Sequence, residues 1–418
     1  MTDVLPVSGS LNPHAVTLAA LDNLLVQAEA AIELGREKML HPTSAKEVPY
    51  YSFSEIGEVL GVDADKVRKK VAYAQQKDGD MPAGFFRKAD GELQPVEVDA
   101  PENRRRKTLF PPNDLRPIIH LMAPHWMRPE GVPGFVLAIC NFKGGVTKST
   151  TTLTTAQAMS RRGMRVLIID LDPQATSTKW MAIQRIQPEN TSLELFAQGS
   201  GNLRSKILPT YWPGIDLIAS DESLQAAEYF FTQSLRNKGD EAMKFVPTEI
   251  RKLTDFYDII LVDTPPSLNN LTLAALFAAD GLEMPLPPSN PDLESSVKFW
   301  RMYRDACRMM GVAEKDEIFQ FVRVLVTKAE NNKSTQNMMD WIERAYSGYV
   351  SNTVIQKSAA VSMAADAFGT VYDVPKGSAG KNKAARETAR QLYDASAAEI
   401  ANLIYAYWRR EQEKISAA

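Results

Sequence analysis

The stretch Asn141–Thr152, NFKGGVTKSTTT, decides how the rest of the chain is read. An apolar run, FVLAICNF, leads into it, and a helical pattern follows as far as Arg162 and stops at Gly163. A glycine turn between a buried strand and a helix is the setting a phosphate-binding loop requires. Gly144 and Gly145 let the backbone come close to phosphate oxygens, while the N–H groups at the helix start and the helix dipole favour negative charge there. Lys148 is placed to neutralise the β- and γ-phosphates of a nucleotide and Ser149 to set its hydroxyl on Mg2+, with Lys143, Val146, Thr147 and Thr150 completing the loop.

Working outward, the same alternation returns. RVLIIDLD (165–172), DIILVDTPP (258–266) and FQFVRVLVT (319–327) are apolar runs separated by helical patterns. Buried runs alternating with helices predict a mostly parallel, doubly wound sheet covered on both faces, an α/β fold. Two of these runs end in acid: Asp170 and Asp172 close one and Asp263 closes the other. Either alone is ordinary sequence for a sheet edge; together with Lys143 and Lys148 they make a nucleotide site.

At this point the residues resemble a known family. KGGVTKST (143–150) is similar to the deviant Walker A box, KGGxxK[ST], of the ParA/MinD group of ATPases, whose hallmark is an extra lysine, here Lys143. The resemblance runs from Phe135 to the C-terminus. It implies ATP (and ADP) with Mg2+ as cofactors, and a homodimer in which Lys143 reaches the partner subunit's nucleotide. It also implies that Asp172 orients the attacking water, that Asp170 supports the outer shell of the metal, and that Asp263 holds Mg2+ through water. Lys143, Lys148 and Asp172 are then the catalytic set, and Ser149, Asp170 and Asp263 the metal set. For the adenine pocket, Thr327, Lys328 and Pro375 are the candidates. One departure stands out: most members have glycine where this chain has Thr147, and a β-branched residue resists positive φ, so slow turnover is expected.

Ahead of this unit, SFSEIGEVLGVDADKVRKKV (52–71) fits a helix-turn-helix, with Ser52 and Glu55 as a capping box and Gly61 at the turn. Its second helix carries Lys66, Arg68, Lys69 and Lys70 as candidate DNA contacts. GFFRKADGELQPVEVD (84–99) reads as a hairpin about Asp90-Gly91, and with Arg104, Arg105 and Arg106 it completes a winged arrangement. This part resembles the operator-binding region of the larger ParA proteins. A leucine-bearing helix from about Pro13 to Leu40 is a candidate dimerisation arm. The organisation expected is therefore an arm (1–45), a winged helix-turn-helix domain (46–121), a Pro/Gly-rich linker (122–134) and the ATPase domain (135–418). A second DNA surface is expected around VPKGSAGKNKAARETAR (374–390), through Lys376, Lys381, Lys383 and Arg386. There the resemblance implies nucleoid DNA held by phosphate contacts alone.

Composition bounds the alternatives. The net charge of -3 means that DNA contacts must come from local basic patches, because the field of the whole molecule does not attract phosphate. Only Cys140 and Cys307 occur, which argues against a disulfide framework or a cysteine cluster and for a reducing cytoplasm. No stretch approaches the roughly 20 apolar residues of a membrane span. The reading is a partition motor, nucleoid-associated, that closes on bulk DNA with ATP, is stimulated by a ParB-type partner and represses its own operator. The alternatives are a nucleotide-gated repressor without a motor role, and a MinD-like membrane ATPase using the apolar stripe Ile400, Leu403, Ile404, Tyr407 and Trp408 as an anchor.

Overall fold

In a computed structural model of the chain, residues 48–77, 81–88, 91–96, 107–196, 203–313, 317–373 and 383–417 are described, with residues 25–28, 30 and 46 besides. The arm at 1–45 therefore lies almost wholly outside the described residues, as do Arg104, Arg105, Arg106, Pro375, Lys376 and Lys381.

The apolar runs become strands: β5 (Phe135–Ile139), β6 (Val166–Asp170), β9 (Ile259–Asp263) and β10 (Gly281–Leu286) are buried end to end, while β8 (Ile215–Ile218) and β11 (Phe321–Val326) are buried except at Asp216, Phe321 and Val322. With β7 (Leu208–Pro209) they form one sheet in the order β11-β10-β5-β9-β6-β8-β7, parallel throughout except that β7 runs antiparallel to β8. Near-continuous Val, Ile and Leu is what two covered faces demand. One face carries the helices α4 (Lys148–Arg161) and α12 (Lys383–Ala417); the other carries α7 (Asp240–Arg251) and α8 (Asn270–Ala278). The doubly wound α/β sheet read from the sequence is the sheet observed.

The N-terminal elements are small and local. Helices α1 (Phe53–Leu60) and α2 (Ala64–Lys77) meet at Gly61, which takes φ 66°, the left-handed region glycine favours. The capping box forms as read: Glu55 Oε2 accepts from the Ser52 backbone N–H at 2.8 Å and from its hydroxyl at 2.6 Å. Gly57 is required by crowding, since a Cβ there would lie 2.5 Å from the Val62 carbonyl oxygen. Beside the helices, β1 (Tyr51–Ser52), β2 (Phe85–Arg87), β3 (Leu93–Pro95) and β4 (Leu109–Phe110) make an antiparallel sheet in the order β1-β4-β2-β3. The hairpin expected about Gly91 is the β2–β3 pair.

These elements share a hydrophobic core with the large sheet. Tyr51, Ile56, Val67, Val71 and Phe110 join Ile118 and Ile119 of α3 (Pro112–Met122), and through them Leu153 and Met159 of α4. The segment read as a linker is held down along its length. Trp126 stacks on Tyr405 of α12 with centroids 5.8 Å apart, and Val132 is buried. The strongest tie is Asp258, at the start of β9. Its carboxylate takes Arg116 of α3, Arg128 Nε at 3.1 Å and Arg165 Nη2 at 3.3 Å, and accepts the Arg165 backbone N–H at 2.8 Å.

Burial alone would raise the Asp258 pKa, but Arg116 and Arg165 outweigh it and hold the group below its ordinary value. A depressed carboxylate contributes stability that is fully present above the unfolded value of about 3.9 and is lost as pH falls through the folded one. Asp258→Asn should therefore cost roughly 3 kcal/mol at pH 7 by urea unfolding, with the gap to wild type narrowing below about pH 4. A gap independent of pH would contradict this assignment.

Candidate functional site

Strand register builds the site. Ile139 on β5 and Asp170 on β6 both pair with Asp263 on β9, so three strands end level at their carboxyl edge. In parallel α/β sheets this edge, at a switch in strand order, is where ligands bind. Here β5 and β6 are separated by β9, and the loop after β5 enters α4.

That loop is the one read first. Gly144 and Gly145 face open space where a Cβ would sit, and Gly145 takes φ 73°. Thr147 adopts φ 79°, ψ 20°, the conformation its branched side chain resists. A non-glycine residue there stores about 1–2 kcal/mol of strain. The backbone of the helix start keeps its N–H groups free of a capping side chain, since Thr147 makes no side-chain cap bond.

Lys148 is buried, and its ammonium donates to the Lys143 carbonyl at 3.1 Å. Burial lowers its pKa, opposed chiefly by Asp263. Asp170 and Asp263 are both wholly buried, and burial raises both carboxyl groups above their ordinary range. Asp170 accepts from the Thr178 N–H at 2.9 Å and its hydroxyl at 2.8 Å, and from the Asp172 N–H at 3.1 Å. Asp263 Oδ2 accepts from Ser177 Oγ at 2.7 Å, and the Ser149 hydroxyl interacts with the same carboxylate. Its other oxygen, Oδ1, is buried and accepts no hydrogen bond. A buried orphan carboxylate oxygen beside a serine hydroxyl and an open glycine loop is a donor set that fits a hard divalent cation.

Asp172 lies two residues beyond Asp170 in the connection after β6, its carbonyl accepting from Ser220 Oγ at 2.8 Å. Lys143 is 42% exposed and pairs with Asp292 at 3.0 Å. Asp292 lies in the first turn of α9 (Asn290–Met309). It is a residue the sequence reading missed, together with Ser177 and Thr178 of α5 (Thr176–Met181) and Ser220. TSTKWM, directly after the acidic strand end, was the available signal for the two α5 hydroxyls; nothing in the sequence marked Asp292. Thr327 and Lys328 sit against the loop backbone: the Thr327 hydroxyl donates to the Val146 carbonyl at 3.3 Å and Lys328 Nζ to that of Gly145 at 2.6 Å. Both therefore brace the phosphate loop, whatever they do for a base.

The DNA candidates lie elsewhere. Lys66 and Lys69 are exposed on α2, whereas Arg68 pairs with Asp65 at 2.9 Å and Lys70 donates to the Leu121 carbonyl at 3.1 Å. Lys383 is exposed at the start of α12 and Arg386 is half-buried. Arg390 is committed to Glu387 and Asp394, the latter at 3.0 Å. The C-terminal apolar stripe is core: Ile400, Ile404, Tyr407 and Trp408 are buried, with Leu403 alone of the five exposed. Among the described residues no helix is long and apolar enough to cross a membrane.

Comparison with known proteins gives the lineage. The AAA domain family matches residues 134–305. A putative replication protein A of Sinorhizobium fredii is 29% identical over 378 residues, covering 88% of this chain and 89% of that protein. The chromosome partitioning protein ParA of Caulobacter vibrioides is 31% identical over 268 residues, 63% of this chain and 96% of that protein. Among solved structures, a partition protein superposes with TM-score 0.62 at 17% identity, covering 92% of this chain and 98% of its own, which shows a shared fold. Taken with the loop, the three aligned strand ends and their acids, these likenesses place the chain in the ParA family of chromosome partitioning proteins.

Proposed function

We propose that the chain is an ATP-driven DNA partition motor. The observation that carries this reading is the convergence of Lys148, Ser149, Asp170, Asp172 and Asp263 at one sheet edge, with a buried Asp263 oxygen accepting no hydrogen bond. The triphosphate lies along the N–H groups of 144–150, with Lys148 on its β- and γ-oxygens. Bound Mg2+ would neutralise charge developing on the transferred phosphoryl group, and Ser149 and Asp263 are the residues to hold it, with Asp170 orienting the outer shell. Asp172 orients the attacking water. Lys143, paired with Asp292 in the single chain, leaves it on dimerisation for the partner subunit's nucleotide.

The solved structure of a variant of Cyanothece McdA in complex with ATP shares the fold, with TM-score 0.53 at 17% identity, so a protein of this architecture holds ATP. The remaining parts of the reading rest on the family. The ATP dimer grips nucleoid DNA through basic residues near 376–386, a ParB-type partner stimulates hydrolysis and release, and the 46–121 unit acts as a winged helix-turn-helix that binds the operator. The nucleotide-gated repressor remains the second reading, because α1, α2 and the small sheet have the composition of a DNA reader. The membrane reading loses its support, since the C-terminal stripe is spent on the core.

Two substitutions probe the nucleotide site and a third the basic segment. Lys148→Ala should abolish ATP binding by titration calorimetry; affinity equal to wild type would remove the site. Thr147→Gly should relieve the left-handed strain and raise stability by about 1 kcal/mol without weakening ATP binding; a lower unfolding midpoint would show that no strain is stored there. Lys381→Glu with Lys383→Glu should remove ATP-dependent binding to random duplex and leave ATP hydrolysis intact, and retained binding would exclude this patch.

A further inference from the structure

The basic helix α2 carries five cations against Asp65, yet the helix directs them to different places. Successive side chains turn by about 100°. With Val67 and Val71 buried, the outward face is centred on the line Lys66, Lys69, Tyr73 and Gln76, and all four are exposed. Arg68 and Lys70 fall on the flanks. Arg68 lies over the Phe53 ring at 5.9 Å while pairing with Asp65, and Lys70 reaches across to the Leu121 carbonyl. Arg68 thus pairs within its own helix at the edge of α1, and Lys70 leans toward α3, so both point away from the outward line.

What the outward face holds instead is Tyr73, 58% exposed in the middle of a basic helix, with Lys77 Nζ 4.6 Å from its ring centroid. Among the described residues no second aromatic ring packs on it. Gln76, one turn further on the same face, is also exposed. From Lys66 to Gln76 the row spans about 15 Å, the rise of about four to five base pairs, and the helix has the diameter a major groove admits.

We propose that Lys69, Tyr73 and Gln76 are the base-reading residues of this protein, and that Arg68 and Lys70 position the helix. The occupant is duplex DNA in its major groove. The carboxamide of Gln76 matches adenine N6 and N7, donating to one and accepting from the other; Lys69 matches guanine O6 and N7; the apolar ring of Tyr73 lies against a thymine methyl. Lys66 and Lys77 face the phosphates, where charge counts and sequence does not. This rests on the operator-binding reading above.

The test is selection and sequencing from a randomised duplex pool, using the full chain with ADP and Mg2+. Wild type should enrich one motif. Gln76→Ala should flatten an adenine position and Tyr73→Ala a neighbouring thymine position, each by about tenfold in discrimination. Tyr73→Phe should keep the thymine preference, because the ring and not the hydroxyl makes the contact, and this variant also guards against a folding defect. Arg68→Ala should enrich the wild-type motif. An unchanged motif in both alanine variants, with wild type selective, would overturn the assignment. Failure of wild type to enrich any motif would instead overturn the operator reading on which it stands.

Discussion

The molecule depends on keeping two carboxyl groups and one ammonium out of water at the carboxyl edge of a parallel sheet. Asp170, Asp263 and Lys148 are buried together, and an isolated buried charge costs several kcal/mol. The site lowers that cost with fixed partners: the Thr178 N–H and hydroxyl donate to Asp170, the Ser177 hydroxyl donates to Asp263, and the Lys143 carbonyl accepts from Lys148. What it leaves unpaired is one oxygen of Asp263. Such a constellation is a poor way to stabilise a fold, and it is the level strand ends that bring these groups together, the arrangement on which the proposed polyphosphate site rests.

The helix that starts at the phosphate loop carries the organisation further. At its far end Arg161 is 2% exposed, bound by both oxygens of Asp394 on α12 and lying between the rings of Tyr51 and Tyr372, at 5.2 and 5.5 Å. Tyr51 belongs to β1 of the small sheet, so α4 touches the nucleotide loop at one end and the N-terminal unit at the other. Asp258 makes a second tie through Arg116 of α3 and Arg128 of the segment that follows it. The N-terminal unit thus shares the core and the electrostatics of the large sheet.

Much of this was legible in the sequence because its causes are local. Buried parallel strands leave continuous apolar runs, and a phosphate loop leaves glycines and a lysine at fixed spacing; the capping box at Ser52 and Glu55 and the turn at Gly61 are set within a few residues. What was hidden depends on distant pairing. Asp292 reaches Lys143 only after the sheet has assembled, and Asp258 gathers Arg116, Arg128 and Arg165 from separate segments. The segment 122–134 has the prolines and glycines of a spacer, yet Trp126 and Arg128 fix it to the sheet domain, an outcome composition does not encode. Where a helix points its cations is likewise not written in a basic run: in α2, Lys66 and Lys69 face outward while Arg68 and Lys70 lean toward neighbouring elements.

The most direct measurement is a crystal structure of the chain with a non-hydrolysable ATP analogue and Mg2+. The triphosphate should lie along the amides of 144–150 and the metal beside Ser149 on the Asp263 side, with Lys143 released from Asp292 toward a partner subunit's nucleotide. A nucleotide bound away from this loop, or bound there with Lys143 still on Asp292 and no paired subunit, would contradict this reading.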